Sequence, residues 1–172
     1  LKNKEKLSNL SLEKNDEVIK DLSKQIIDLG GKPSLDQSDQ KLLIKNLTKQ
    51  LDTLLVKSIL SDKTKNKISD EEIKGIKIRF QNVEGLPPKE LRKLVDEGKK
   101  ELGDGIVVVF ASKDDKVGVA VGITTKLIKK YDAVKFVKLS SEIIGGQGGG
   151  GRKDFAQAGG QDQSKINEAF TK

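Results

Sequence analysis

Residues Ile106 to Ser112 read IVVVFAS, seven positions without a charge. An apolar run of that kind, without alternation, fits a central strand covered on both faces. Other elements are therefore expected above and below it. Lys113 to Asp115 supply a turn, and KVGVAVGIT returns as the partner strand. In that strand Val117, Val119 and Val121 alternate with Gly118, Ala120 and Gly122. Small residues there permit close packing or the close approach of a ligand.

The flanks supply the rest of the layers. Ile76, Ile78 and Phe80 alternate with charged residues, the pattern of a half-buried strand. The stretch EGLPPKE is a turn, and Pro87 and Pro88 launch a helix over Lys89 to Leu102, with Leu91, Leu94 and Val95 on its buried face. Gly103 to Gly105 stop it. Helical segments are expected from Thr124 to about Lys130 and from Ala133 to Ile144, then a glycine stretch. A short strand over Phe155 to Ala158 and a last helix near Gln163 to Phe170 follow. Residues 73–172 thus read as an α/β (α+β) domain, a small mixed sheet with flanking helices.

Residues 1–72 have a different character. Val18, Leu22, Ile26 and Leu29 lie on one helical face, and GGKP from Gly30 to Pro33 ends that helix. Ser38 or Asp39 can cap a second helix, whose stripe is Leu43, Leu47, Leu51, Leu54, Leu55 and Ile59. The expectation is an all-α, coiled-coil-like helical hairpin, antiparallel, stripe against stripe. Leu10, Leu12, Leu42 and Leu60 are left over and call for a third helix or a second copy of the chain. Residues 61–72 have lost the stripe and read as a linker. The chain lacks methionine and opens in helical periodicity, so it reads as a piece of a longer polypeptide. A membrane is not an expected partner, because acidic residues intersperse the stripes and no aromatic anchors accompany them.

Composition restricts the chemistry. The chain has no His and no Cys, which excludes an imidazole base, a thiolate nucleophile and a Cys/His zinc site within it. Aromatic residues make up 3%, too few for a base-stacking platform. The net charge of +7 favours an anionic partner.

The glycine stretch GGQGGGGRKDFAQAGG, Gly145 to Gly160, is the most pointed motif. It follows a helix and contains no G-x-x-x-x-G-K-[ST], so it matches neither the Rossmann nor the Walker layout. Two readings stay open. In one, Gly148, Gly149, Gly150 and Gly151 bring bare backbone to an anion, with Arg152 offering a planar fork and Lys153 a point charge. In the other, the stretch is a tight loop packed on the sheet, with Asp154 paired to Arg152.

This stretch closely resembles the glycine-rich signature near the C-terminus of alanyl-tRNA synthetases. There a glycine run is followed by Arg-Pro-Asp, an apolar residue and Ala-Gln-Ala-Gly-Gly. Lys153 stands where proline is usual and Phe155 where methionine is usual. LPPKELRKLVDEGKKELGDGIVVVFAS, KVGVAVGIT and the closing DQSKINEAF look like the elements around that signature, so the resemblance covers roughly residues 86–171. The leading helices match only in kind.

The resemblance implies the C-terminal domain of a bacterial-type enzyme, a helical subdomain followed by a globular DHH-associated subdomain. It implies contact with the tRNA elbow, a link between aminoacylation and editing, and a homodimer through the helices. The reaction itself, and its ATP, Mg and Zn, would belong to upstream domains of a cytoplasmic enzyme, with no cofactor in this part. The implied RNA contacts are Gly148 to Gly151, Arg152 and Lys153, extended by Lys126, Lys129, Lys130, Lys135 and Lys138. Two alternatives remain: an accessory domain of a DHH-family phosphoesterase, and a pure oligomerisation module.

Overall fold

The computed structural model describes the backbone of residues 2–171 and the side chains of residues 11–170. The chain divides into two compact units, Leu1–Ser58 and Ile59–Lys172.

The first unit is helical. Helix α1 spans Lys2–Asp28 and α2 spans Gln40–Ser61, whose last turn enters the second unit. Asp39 caps α2: its Oδ1 accepts from Lys41 N at 2.8 Å and Leu42 N at 3.1 Å. Ile26, Leu43, Leu47 and Leu51 form the core, with Ile19, Leu22, Leu29 and Leu54 packed around it. Val18, expected on this stripe, is exposed, and Ile19 takes its place. Leu55 is exposed as well.

The two helices are not antiparallel. Asn15 and Asp16 bond Gln40 at the start of α2, whereas Gln50 bonds Lys32 and Ser34. Gly31 lies against Leu54. Both ends therefore pair in the same direction, and the connection runs back in extended form. Ten residues of extended chain reach about 33 Å, enough to return along α1. Of the leftover leucines, Leu12 and Leu42 are exposed and Leu60 is half-buried, while the side chain of Leu10 lies outside the described residues.

The second unit is built on a six-stranded mixed sheet in the order β1-β2-β3-β4-β6-β5. Its strands are β1 Asn66–Ile73, β2 Ile76–Glu84, β3 Ile106–Lys113, β4 Lys116–Ile123, β5 Gly149–Arg152 and β6 Phe155–Gly160. Only β2 and β3 are parallel, and helix α3, Leu91–Leu102, supplies the crossover between them. Asp114 and Asp115 turn β3 into β4 with φ of +49° and +60°, the conformation of a tight two-residue hairpin.

Each sheet face has its own cover. Ile106, Val108 and Phe110 pack with Val117, Val119 and Val121 beneath helix α4, Ala133–Ile143, and beneath Ile166 and Phe170 of helix α5, Ile166–Thr171. On the opposite face α3 lies close to β4. A Cβ at Gly118 would press on Leu91 and Pro88, and one at Gly122 on Val95 and Lys99. The small residues of β4 thus serve close packing, not a ligand.

Three local expectations change. Asn66–Ile73, read as linker, is a full edge strand, and the boundary between units falls at Ser58 instead of residue 72. Burial gives no signal there, because the strand is almost wholly exposed. Thr124 to Lys130 is a series of turns instead of a helix. The glycine stretch is not a loop throughout: Gly149 to Arg152 forms the outermost strand, paired with β6.

Candidate nucleic-acid interface

The motif folds as a β-hairpin on the sheet edge. Arg152 pairs with Phe155 in the ladder, and Lys153 and Asp154 make the turn between them. Backbone bonds fix that turn. Ala133 N donates to Lys153 O at 3.0 Å and Ile123 N to Asp154 O at 2.9 Å. The turn is thereby tied to the start of α4 and the end of β4. From the other end, Ser141 Oγ of α4 lies 3.3 Å from both Gly148 N and Gly159 O.

The glycines of this hairpin have different physical reasons. A Cβ at Gly149 would lie 2.5 Å from Ala158 Cβ and 2.6 Å from both Gln157 O and Val137 Cγ1. One at Gly151 would strike Phe155 O and Ala156, and Gly146 and Gly160 are equally closed. Gly148 faces open space, but its φ of +107° disfavours any other residue. Gly150 has neither constraint: open space surrounds its would-be Cβ, and its φ is ordinary. Packing therefore accounts for Gly149 and Gly151 and backbone conformation for Gly148, leaving Gly150 unexplained.

The charged side chains divide between the two faces. Ala156, Ala158, Gly149 and Gly151 turn toward α4. Phe155, Gln157, Gly150 and Arg152 turn the other way, toward the side of α3. Arg152 is 72% exposed, and its Nε stands 3.3 Å from Asp154 Oδ1. The Arg152–Asp154 pairing expected for a structural loop is present, yet both partners are solvent-exposed, which makes it a weak restraint. Lys153 is exposed.

The lysines named from the sequence are all exposed. Lys135 and Lys138 ride on α4, which covers the opposite face. Lys129 and Lys130 sit in the turns before α4, with Lys130 Nζ 5.6 Å from the Tyr131 ring centroid. Lys126 is held by Asp104 at 2.5 Å, and that hydrogen bond raises its pKa. Sequence reasoning passed over Arg92 of α3, whose guanidinium carbon lies 4.9 Å from the Phe155 ring centroid. Its separation of 63 positions from Phe155 left no local signal. Among the described residues no helix is long and apolar enough to cross a membrane.

Residues 75–172 match the DHHA1 domain family. The chain is 50% identical over 100 residues to an alanine–tRNA ligase of Hyphomonas neptunium, covering 58% of this chain and 11% of that protein. The corresponding protein of Parvibaculum lavamentivorans is 48% identical over 101 residues, with the same coverage of 58% and 11%. The chain thus spans about a tenth of the length of these relatives. Among solved structures, the C-Ala domain of Aquifex aeolicus alanyl-tRNA synthetase superposes with a TM-score of 0.56 at 28% identity, over 60% of this chain and 92% of that one. The fold expected from the sequence, a mixed sheet with flanking helices after a helical part, agrees with that domain.

Proposed function

Because this chain belongs to the DHHA1 domain family, we propose that it is the C-terminal accessory module of an alanine–tRNA ligase and binds tRNA through its glycine hairpin. The parent reaction would be the ATP-dependent attachment of alanine to tRNA in the cytoplasm. ATP, Mg and Zn would be handled by upstream domains. The module would grip the elbow of the L-shaped tRNA and so help a single tRNA serve both aminoacylation and editing.

One observation carries this reading. Gly150 lacks a packing reason to be glycine, and it adjoins an exposed arginine on a sheet edge held rigid from both ends. An edge strand presents unpaired backbone groups, and a residue without a side chain lets a phosphate chain come close to them. Arginine suits phosphate through its planar fork. The elbow offers backbone more than readable base edges, so recognition by shape and charge fits this equipment.

The test is a tRNA gel-shift at several salt concentrations, with an Arg152→Ala, Lys153→Ala double variant alongside. The wild-type affinity should fall with salt, with a log–log slope of about −0.7 to −0.9 per phosphate contacted. The double variant should bind more weakly and with a shallower slope. An absence of binding at low salt would refute the reading.

A second role is favoured by a separate observation. In the helical unit Ile27 and Leu35 are each 58% exposed, and Leu12, Val18, Leu42 and Leu55 are exposed too. Apolar residues in that number support self-association of the helical unit, making the module a dimer.

A further inference from the structure

The basic residues of this chain number 33, of which only three, Arg79, Arg92 and Arg152, are arginines. Arg79 is committed to the fold. It is 12% exposed and makes two 2.7 Å bonds to Asp70 and a third bond to Glu101. The other two are both related to Phe155, one through its ring and one through the strand register. Arg92 reaches from α3 over Phe155, and Arg152 stands directly opposite Phe155 in the β5–β6 ladder, on the same face. Their side chains are 60% and 72% exposed. Each approaches an acid through its Nε, Arg92 to Asp96 at 4.0 Å and Arg152 to Asp154 at 3.3 Å, and a guanidinium has five N–H donors, so both keep donors for another acceptor.

The surface beside them is bare. Helix α3 covers β3 and β4, where Ala120 is fully buried. Its ladder partner Gln157 is exposed, and so is Gly150, the next residue across. The face of the hairpin on the α3 side is therefore a shallow floor of Gly150 and Gln157, with the two arginines at Phe155 along one end.

We propose that this α3-side face, with Arg92 and Gln157 as well as Arg152, is where the RNA phosphodiester backbone lies, and that the α4 lysines take no part. The inference rests on the tRNA-binding reading above and assigns it to one of two opposite faces. Charge complementarity selects the occupant: two exposed arginine forks on one face suit phosphate groups. The open glycine leaves room for the chain, and the Gln157 amide offers both a donor and an acceptor to a 2′-hydroxyl. The cation–π contact with Phe155 holds the Arg92 guanidinium near the ring before RNA arrives.

The test compares salt-dependent tRNA binding by the whole chain and by four variants. These are Arg92→Gln, Arg92→Lys, Gln157→Ala and the pair Lys135→Gln, Lys138→Gln. All four positions are exposed, and circular dichroism verifies that each variant is folded. Arg92→Gln should weaken binding severalfold and make the salt slope shallower by about 0.7 to 0.9, one phosphate contact. Gln157→Ala should weaken binding at an unchanged slope, because it carries no charge. The α4 pair should bind like wild type. Arg92→Lys should recover the slope but not the full affinity, since lysine keeps the charge and loses the fork. If the wild type binds but the α4 pair takes the loss while Arg92→Gln is neutral, this inference is wrong and the tRNA-binding reading survives. If the wild type does not bind at low salt, both fall.

Discussion

Adjacent glycines of one strand should respond to alanine in opposite ways. At Gly149 the new methyl group would lie 2.5 to 2.6 Å from Ala158 Cβ, Gln157 O and Val137 Cγ1. One contact is with backbone and another with a helix packed on the strand, so neither yields by a simple rotamer change. Overpacking of this kind costs about 1–3 kcal/mol. For a unit of this size that lowers Tm by about 4 °C per kcal/mol, or about 4–12 °C in all. At Gly150 open space surrounds the methyl and φ is ordinary, so Gly150→Ala should stay within about 0.5 kcal/mol of wild type. Its effect should appear in tRNA binding instead. Holding a phosphate off one backbone donor forfeits about 1.5 kcal/mol, roughly a tenfold loss of affinity. The assay is a thermal melt and a gel-shift on each variant. A Gly150→Ala protein that melts like Gly149→Ala, or that binds tRNA like wild type, would show that the open glycine was misread.

Two further outcomes are expected. The Asp70 carboxyl is held below its ordinary value of 3.8, first by the hydrogen bond from Arg79. A depressed carboxyl adds stability that is complete above its unfolded value and drains away as pH falls toward the folded one. Wild type should therefore melt above Asp70→Asn near pH 6, and the gap should close below about pH 4; a gap independent of pH would remove Asp70 from the account. In the helical unit, Ile27→Glu with Leu35→Glu should shift the chain from dimer to monomer in sedimentation equilibrium; a wild type that is monomeric at every concentration would end the dimer reading.

What the sequence disclosed follows from where burial is steep. The run Ile106 to Phe110 and the triplet Leu91, Leu94 and Val95 are buried, and their patterns located β3 and α3 correctly. Strand β1 hid because one exposed edge carries Ser69, Asp70, Glu71 and Glu72 in succession, residues that resist edge-to-edge pairing but blur any alternation. Its visible trace was the turn: Ile73 and Ile76 pair across Lys74 and Gly75, both at positive φ. Strand β5 hid for the opposite reason, since glycine has the least strand preference. Gly149 and Gly151 are glycine there because any side chain would collide with α4 or β6, a tertiary demand that no local pattern expresses. The leucine stripes told which faces of α1 and α2 meet but not in which direction the helices run. Direction depended on whether the connection was a tight turn or an extended return, and its residues suit either.

The site was legible in parts and illegible as a surface. Arg152 and the glycines were named from their motif, but a motif cannot say which side of a sheet a residue faces. Lys135 and Lys138 were grouped with Arg152 because they are near in sequence, yet α4 covers the other face; Arg92 is far in sequence and lies at the ring of Phe155, the register partner of Arg152. The two departures from the alanyl-tRNA synthetase signature fit this geometry. Lys153 opens a turn whose demands fall on its carbonyl, which accepts from Ala133 N. Its φ is not positive, so the position does not call for glycine. Phe155 is buried at 8% exposure, as an apolar residue must be there, and its ring adds a face that a methionine side chain lacks. In this chain that face holds Arg92. Phe155, standing where methionine is usual, thus has a physical role in holding Arg92.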